Sequence, residues 1–164
     1  MAALHHYRVA LPAGWLAPVA AAAVAAAMAD DGLGDGGGDA LVYAFRLADS
    51  GVVPVAQLDD LYWHLLRTAE EKVRQTPEEW GEYGLTPLKL VGARSSGAAA
   101  ELLQESIQRQ LAYEVARQNE AGFWEPVWSW AEFDPSGWLA AREDWRSVLT
   151  LDMLKTLHGH GRVA

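Results

Sequence analysis

Tryptophan is concentrated in one stretch of this chain. Residues 113–145, YEVARQNEAGFWEPVWSWAEFDPSGWLAAREDW, contain five of its eight tryptophans. A tryptophan side chain combines a large apolar area with one N–H group that needs a hydrogen-bond partner when it is buried. Five such side chains in so short a stretch must stack on other elements, and the rest of the chain supplies mainly helices. We therefore expect this stretch to organise the fold.

Length and charge restrict the class of protein. The chain has 164 residues, which fits one domain spanning 1–164 that buries roughly 70% of its unfolded surface. A formal net charge of −9 argues against a nucleic-acid partner, because phosphate binding needs a basic face, and it disfavours anionic membranes. The absence of cysteine excludes disulfides and thiolate metal sites.

The segment that most resembles a targeting signal is alanine-rich. Residues 16–29, LAPVAAAAVAAAMA, follow only His5, His6 and Arg8 as basic or weakly basic residues. Alanine is too weakly apolar for a membrane span. We therefore expect a cytoplasmic protein without membrane association.

Apolar periodicity and capping signals predict an all-α domain of five or six helices. A short extended arm is expected at 4–11, an acidic glycine-rich loop at 30–39 and a long connection at 81–97. In the clearest amphipathic helix, apolar residues recur every three or four positions from Leu58 to Val73. The predicted helices span 15–29, 40–49, 56–75, a short turn after Thr76-Pro77, 98–119, a segment after Asp134-Pro135, and a last segment capped by Thr150.

A spacing within the tryptophan-rich stretch resembles a known motif. Tyr113, Gln118, Gly122 and Trp124 match the aromatic–Q–x3–G–x–W pattern that repeats in terpenoid cyclases of the squalene–hopene type and, in looser form, in prenyltransferase-like α/α toroids. Physically, the Gln118 amide can satisfy loose backbone groups at a helix end, and Gly122 permits a tight reversal. Trp124 is then expected to pack back on the helix pair.

The resemblance extends over about 77–163. The end of the chain, together with the segment EEWGEYGLTPLKLV, looks like the C-terminal part of uncharacterised bacterial proteins with toroid-like helical repeats. It implies a partial α/α-toroid array of helical hairpins. The chain departs from both enzyme families, because it has neither the acidic D-x-D-D motif of the cyclases nor the cysteine that helps prenyltransferases of this shape hold zinc.

Candidate catalytic residues are the carboxylates Glu125, Glu132 and Asp134, which interleave with the tryptophans. Among aromatic rings they could have raised pKa values and act as acids, or they could accept indole N–H bonds and cap helices, which we favour. Aromatic side chains could line a pocket for an apolar ligand. The predicted ligand-binding residues are Tyr62, Trp80, Tyr83, Trp124, Trp128 and Trp130.

Two functions fit these observations. The first is a noncatalytic binding or assembly module whose aromatic surface meets a partner protein or a second copy of the chain. The second is a small enzyme or carrier for an isoprenoid or polycyclic ligand, with one of the three carboxylates as acid. The missing acid motif ranks the module first. We also expect self-association, with the alanine-rich helix and the arm at 4–11 as contact elements.

Metal and cofactor binding is not expected. His5 and His6 are adjacent, and on a strand they point to opposite faces, while His158 and His160 flank a glycine near the C-terminus. Asp30, Asp31 and Asp35 are spaced like aspartate-rich magnesium motifs, but the surrounding glycines deny them a rigid helix.

We therefore predict that folding requires no metal. Thermal unfolding curves recorded with and without a chelator should superimpose, because no predicted site is preformed. A chelator-induced decrease of several degrees in Tm would show that the aspartates at 30–39 or the histidines hold an ion.

Overall fold

The computed structural model describes residues 14–29, 33 and 38–163. This part of the chain contains eight helices and no strands, which confirms the all-α prediction. The predicted arm at 4–11 lies outside the described residues, as does most of the loop at 30–39. The toroid-like array stays a prediction. The helices are α1 (Leu16–Ala27), α2 (Asp39–Ala48), α3 (Val55–Lys72), α4 (Pro77–Trp80), α5 (Pro87–Val91), α6 (Ala98–Leu102), α7 (Gln104–Arg117) and α8 (Pro135–Gly159).

The chain divides into two compact units. Unit 1 comprises Met1–Val73 with Gly97–Leu102, and unit 2 comprises Arg74–Ser96 with Leu103–Ala164. The prediction of a single domain stays a prediction. None of the helices in the described ranges combines the length and apolar character that a membrane-spanning helix requires.

Unit 1 is built around the predicted amphipathic helix. In it, α2 packs on both α1 and α3, and α3 also packs on α6. Leu61, Leu65 and Ala69 form a fully buried stripe on α3, at the four-residue spacing that places side chains on one face of a helix. Leu41 and Phe45 on α2 are buried in the same way. The apolar stripe predicted for α3 is thus buried from Leu61 to Val73.

Unit 2 is centred on α7, against which α4 and α5 pack. In the sequence, apolar residues recur every four positions from Leu103 to Val115, which predicts one buried stripe. Ile107 and Leu111 of α7 are buried, as this spacing predicts. Val115, the next residue in that spacing, is exposed instead. A buried hydrogen bond of 2.9 Å runs from the Leu88 backbone N–H to the Gln110 side-chain oxygen, so a polar residue of α7 fixes the start of α5.

The short helices α4 and α5 begin with the same capping chemistry. Thr76 and Glu79 form a capping box with Pro77 at the first helical position, where the sequence predicts a short helical turn. The Thr86 hydroxyl oxygen accepts from the Lys89 backbone N–H at 3.2 Å, and Pro87 follows Thr86. Helix α5 lies inside the predicted connection at 81–97, so the second Thr-Pro pair marks a helix that the prediction missed.

Two helix boundaries differ from the prediction. The helix predicted at 98–119 is interrupted at Leu103, where φ is −101° and ψ is 15°, and the interruption coincides with the boundary between the units. The two helices predicted after Pro135 are one continuous helix, α8. Thr150 does not cap a helix, because it lies in the interior of α8. Its hydroxyl accepts a tertiary hydrogen bond from the Trp124 backbone N–H at 3.3 Å.

The segment from Gln118 to Trp124 reverses the chain between α7 and α8, as the motif predicts. Gly122 has a φ of +85°, and the Gln118 amide donates to the Gly122 carbonyl at 2.9 Å. Trp124 is 1% exposed, and its indole N–H donates to the Glu114 carbonyl of α7 at 2.9 Å. The predicted packing of Trp124 on the helix pair is confirmed.

The C-terminal end of α8 is fixed within unit 2 by close backbone approach. A Cβ atom at Gly159 would collide with the Ala93 carbonyl group, so only glycine fits at this position without a backbone shift. The His160 Nε2 atom lies 3.0 Å from the Gly92 carbonyl oxygen, and Arg162 donates to the Gln108 side chain at 2.6 Å. These contacts connect α8 to the loop that follows α5 and to α7.

Replacing Trp124 should destabilise the protein strongly. Trp124→Ala removes a buried ring and a satisfied indole N–H, so we expect a loss of about 3–5 kcal/mol in the free energy of unfolding. Trp15→Ala is the control, because Trp15 is 40% exposed and its loss should cost much less. Urea unfolding of both variants checks the difference, and equal midpoints would contradict an organising role for Trp124.

Candidate functional site

A row of three aromatic rings lies on unit 2. Tyr83 contacts Trp128 edge-to-face with 5.7 Å between ring centroids, and Trp128 contacts Trp145 of α8 in the same way at 5.4 Å. Tyr83 is 54% exposed, and Trp145 is also exposed. Edge-to-face pairs hold rings in a defined mutual orientation. We call Tyr83, Trp128 and Trp145 the aromatic row.

The loop that carries Trp128 is fixed by Glu125. The Glu125 backbone carbonyl accepts from Arg117 of α7 at 2.9 Å. Its carboxylate accepts from Arg142 of α8 at 2.9 Å through both oxygens, and from Arg146 at 2.6 and 3.0 Å. Arg146 also pairs with Glu143. Charge-assisted, paired hydrogen bonds of this kind fix orientation as well as position.

The same arginines determine the protonation state of Glu125. Hydrogen bonds from Arg146 and then Arg142 lower the pKa of Glu125 to about 2, so it is ionised at neutral pH. This direction is opposite to the raised pKa that an acid role requires. Arg146 also lies 4.6 Å from the centroid of the Phe123 ring, which gives its guanidinium an apolar contact.

Asp134 and Glu132 have other surroundings. The Asp134 carboxylate accepts from the Gly137 backbone N–H at 2.9 Å and caps α8. This hydrogen bond lowers the pKa of Asp134 below its usual range, again opposite to an acid role. Glu132 is exposed, as is its neighbour Phe133. It does not belong to the cluster of ion pairs around Glu125.

The predicted ligand-binding residues do not form one surface. Tyr83 and Trp128 belong to the aromatic row, and Trp130 contacts Trp138 edge-to-face at 4.6 Å. Trp80 is buried in unit 2, where its indole N–H donates to the Arg74 carbonyl at 2.8 Å. The burial of Trp80 and Trp124 leaves no exposed ring face for a partner. Tyr62 lies in unit 1, where its hydroxyl donates to Asp49 at 2.7 Å.

Three charged residues at this site were not singled out from the sequence: Arg142, Arg146 and Glu114. Glu114 is buried on α7, pairs with Arg117 at 2.8 Å, and has a pKa raised by its burial although Arg117 opposes the shift. Arg142 and Arg146 are four residues apart and therefore lie on one face of α8. That spacing, opposite a glutamate in the tryptophan-rich stretch, is the signal that could have identified the cluster.

Two kinds of group lie together at this site. It combines oriented aromatic rings with guanidinium groups held by carboxylates. Within the described ranges, no three side chains of His, Asp or Glu come together to hold a metal ion.

Comparison with known proteins gives no relatives for this site. No protein-family model, no curated protein and no solved structure matches the chain.

The ion cluster makes stability depend on pH in a defined direction. The pKa of Glu125 is about 2 in the folded chain and about 4.3 in an unfolded one, so the cluster stabilises the fold above about pH 4.3. This contribution is lost as the pH falls towards 2. We expect the stability difference between the wild type and Glu125→Gln to be largest at neutral pH and to shrink across that window.

Urea unfolding at a series of pH values measures this difference. Glu132→Gln serves as the control, because it removes an exposed carboxylate from the same loop. A difference for Glu125→Gln that stayed constant from pH 7 to pH 2 would contradict the ion-pair assignment.

Proposed function

We propose that this protein is a noncatalytic helical binding module that contacts a partner protein through the aromatic row. The observation that carries the proposal is the Tyr83–Trp128–Trp145 row, in which Tyr83 and Trp145 are exposed and Trp128 is half-buried. Arg142 and Arg146 hold Glu125 of the loop that carries Trp128. Tyrosine, tryptophan and arginine are the residues most enriched at the energetic centres of protein interfaces.

Rigidity supports this use of the row. The rings belong to three segments: the loop before α5, the loop after Trp124, and α8. The Glu125 ion pairs connect the second segment to α8, and the edge-to-face contacts connect the first to the second. A partner that binds a preformed surface loses less side-chain entropy than one that must order it.

The alternative, a small enzyme or carrier for an isoprenoid or polycyclic ligand, has less support. A cyclase-like reaction needs a proton donor, and the pKa values of Glu125 and Asp134 are lowered rather than raised. The resemblance to terpenoid cyclases rests on the Gln118–Trp124 reversal, which accounts for packing and not for chemistry.

Site-specific crosslinking tests the proposal. The photoreactive p-benzoylphenylalanine replaces Tyr83 in one variant and Tyr43, an exposed tyrosine on α2, in a control. We expect a discrete crosslinked species in cells of the source organism only from position 83, and its loss when Trp128→Ser is added. Identical crosslinking patterns from both positions, or a position-83 species unaffected by Trp128→Ser, would contradict the role of the row.

A further inference from the structure

Helix α8 has a second exposed surface, distinct from the aromatic row. Four exposed side chains lie along it at spacings of four, three and four residues, which places them on one face of a helix. Val148 and Leu151 at its centre are 46% and 54% exposed. We call this face the α8 stripe, and it consists of Asp144, Val148, Leu151 and Lys155.

The order of residues in the α8 stripe is self-complementary. If two copies of α8 lie antiparallel across a two-fold axis midway between residues 149 and 150, Val148 faces Leu151 of the other copy. The same register places Asp144 opposite Lys155, and both pairs occur twice by symmetry. A two-fold interface requires this reciprocity, in which residue i contacts j and j contacts i.

The residues beyond the charges also fit this register. Ala141 is partly buried and His158 is exposed, and the axis places one opposite the other, so that a small side chain meets a large one. Ser147 is opposite Asp152, which offers a hydroxyl donor to a carboxylate rather than a second negative charge. No carboxylate meets a carboxylate along the pairing.

Charge selects this arrangement over the alternatives. A parallel pair in register would place Asp144 against Asp144 and Lys155 against Lys155, and like charges across an interface are unfavourable. Sliding the antiparallel pair by one heptad would place Leu151 opposite Lys155 and remove the apolar centre. Among the residues that the structure describes, Lys155 makes a long contact of 3.9 Å with Asp152, and both side chains are exposed. Such a contact holds the ammonium group weakly.

We infer that the α8 stripe is a self-association surface, and that the protein forms a two-fold homodimer through antiparallel α8 helices. Val148 and Leu151 form the apolar centre of the interface, and two reciprocal Asp144–Lys155 ion pairs fix its direction and register. The partner is thus a second copy of this chain. The α8 stripe contains no residue of the aromatic row, although Trp145 follows Asp144 in the sequence. A dimer formed through the stripe would therefore present two aromatic rows.

Charge reversal on the α8 stripe tests the direction and register. Asp144→Lys and Lys155→Asp each create two like-charge contacts per dimer, so each should raise the dimer Kd by about tenfold or more. The double variant restores both ion pairs with opposite polarity and should return the Kd to within about threefold of the wild type. Sedimentation equilibrium of the purified full chain measures these constants.

A second pair of variants controls for folding. Leu151→Glu should abolish the dimer while leaving helix content unchanged by circular dichroism, because Leu151 is already half exposed. Leu139→Glu changes a more exposed leucine, at 64%, on the opposite side of α8 and should leave the Kd unchanged. These two variants separate loss of the interface from loss of the fold.

These measurements test the dimer separately from the proposed binding function. A wild-type mass of 17.9 kDa at the highest soluble concentration would overturn the dimer, even if Tyr83 crosslinks to a foreign protein. A dimer that the two single reversals weaken and the double variant does not restore would overturn the antiparallel register. A dimer that persists in Leu151→Glu would place the interface elsewhere.

Discussion

Trp124 is hydrogen-bonded to both long helices of unit 2. Its indole N–H donates to the Glu114 carbonyl on α7, and its backbone N–H donates to the Thr150 hydroxyl on α8. Burial of the ring removes a large apolar area from water, and the two hydrogen bonds satisfy both N–H groups of the residue. The next residue, Glu125, repeats the pattern with charged groups from the same two helices. Consecutive residues therefore connect α7 to α8, first by apolar packing and then by ion pairs.

The position of the aromatic row follows from this connection. Arg142 and Arg146 of α8 hold Glu125 in place, and Trp128 follows Glu125 by three residues in the same loop. Trp128 then lies beside Trp145, on the same helix as those arginines. Trp124 and Trp128, which are four residues apart, thus differ in burial. Trp124 is buried in the core with its indole N–H donating to the Glu114 carbonyl, whereas Trp128 is half-buried in the aromatic row.

Helix content and the motif reversal were predictable from local signals, whereas the tertiary roles of single side chains were not. The stripe on α3, the capping box at Thr76 and the positive φ of Gly122 depend on neighbours in sequence, which periodicity and residue type report. Thr150 was misassigned because a hydroxyl can cap a helix or accept a distant N–H equally well, and α8 contains no Gly or Pro near it to end the helix. The interruption at Leu103 has no local breaker either. It coincides with a boundary between units, which a single sequence does not reveal.

The lowered pKa of Glu125 has the same non-local origin. A carboxylate among five tryptophans would have a raised pKa if desolvation dominated, and two guanidinium groups reverse that outcome. Arg142 and Arg146 lie on one face of α8, whereas Asp144 and Lys155 lie on another. The two faces of this helix therefore carry charged residues with different roles. One set is neutralised within the chain and fixes the aromatic row. In the proposed dimer, the other set pairs with an antiparallel copy, and the order of charges along the stripe determines which ends of the two helices meet.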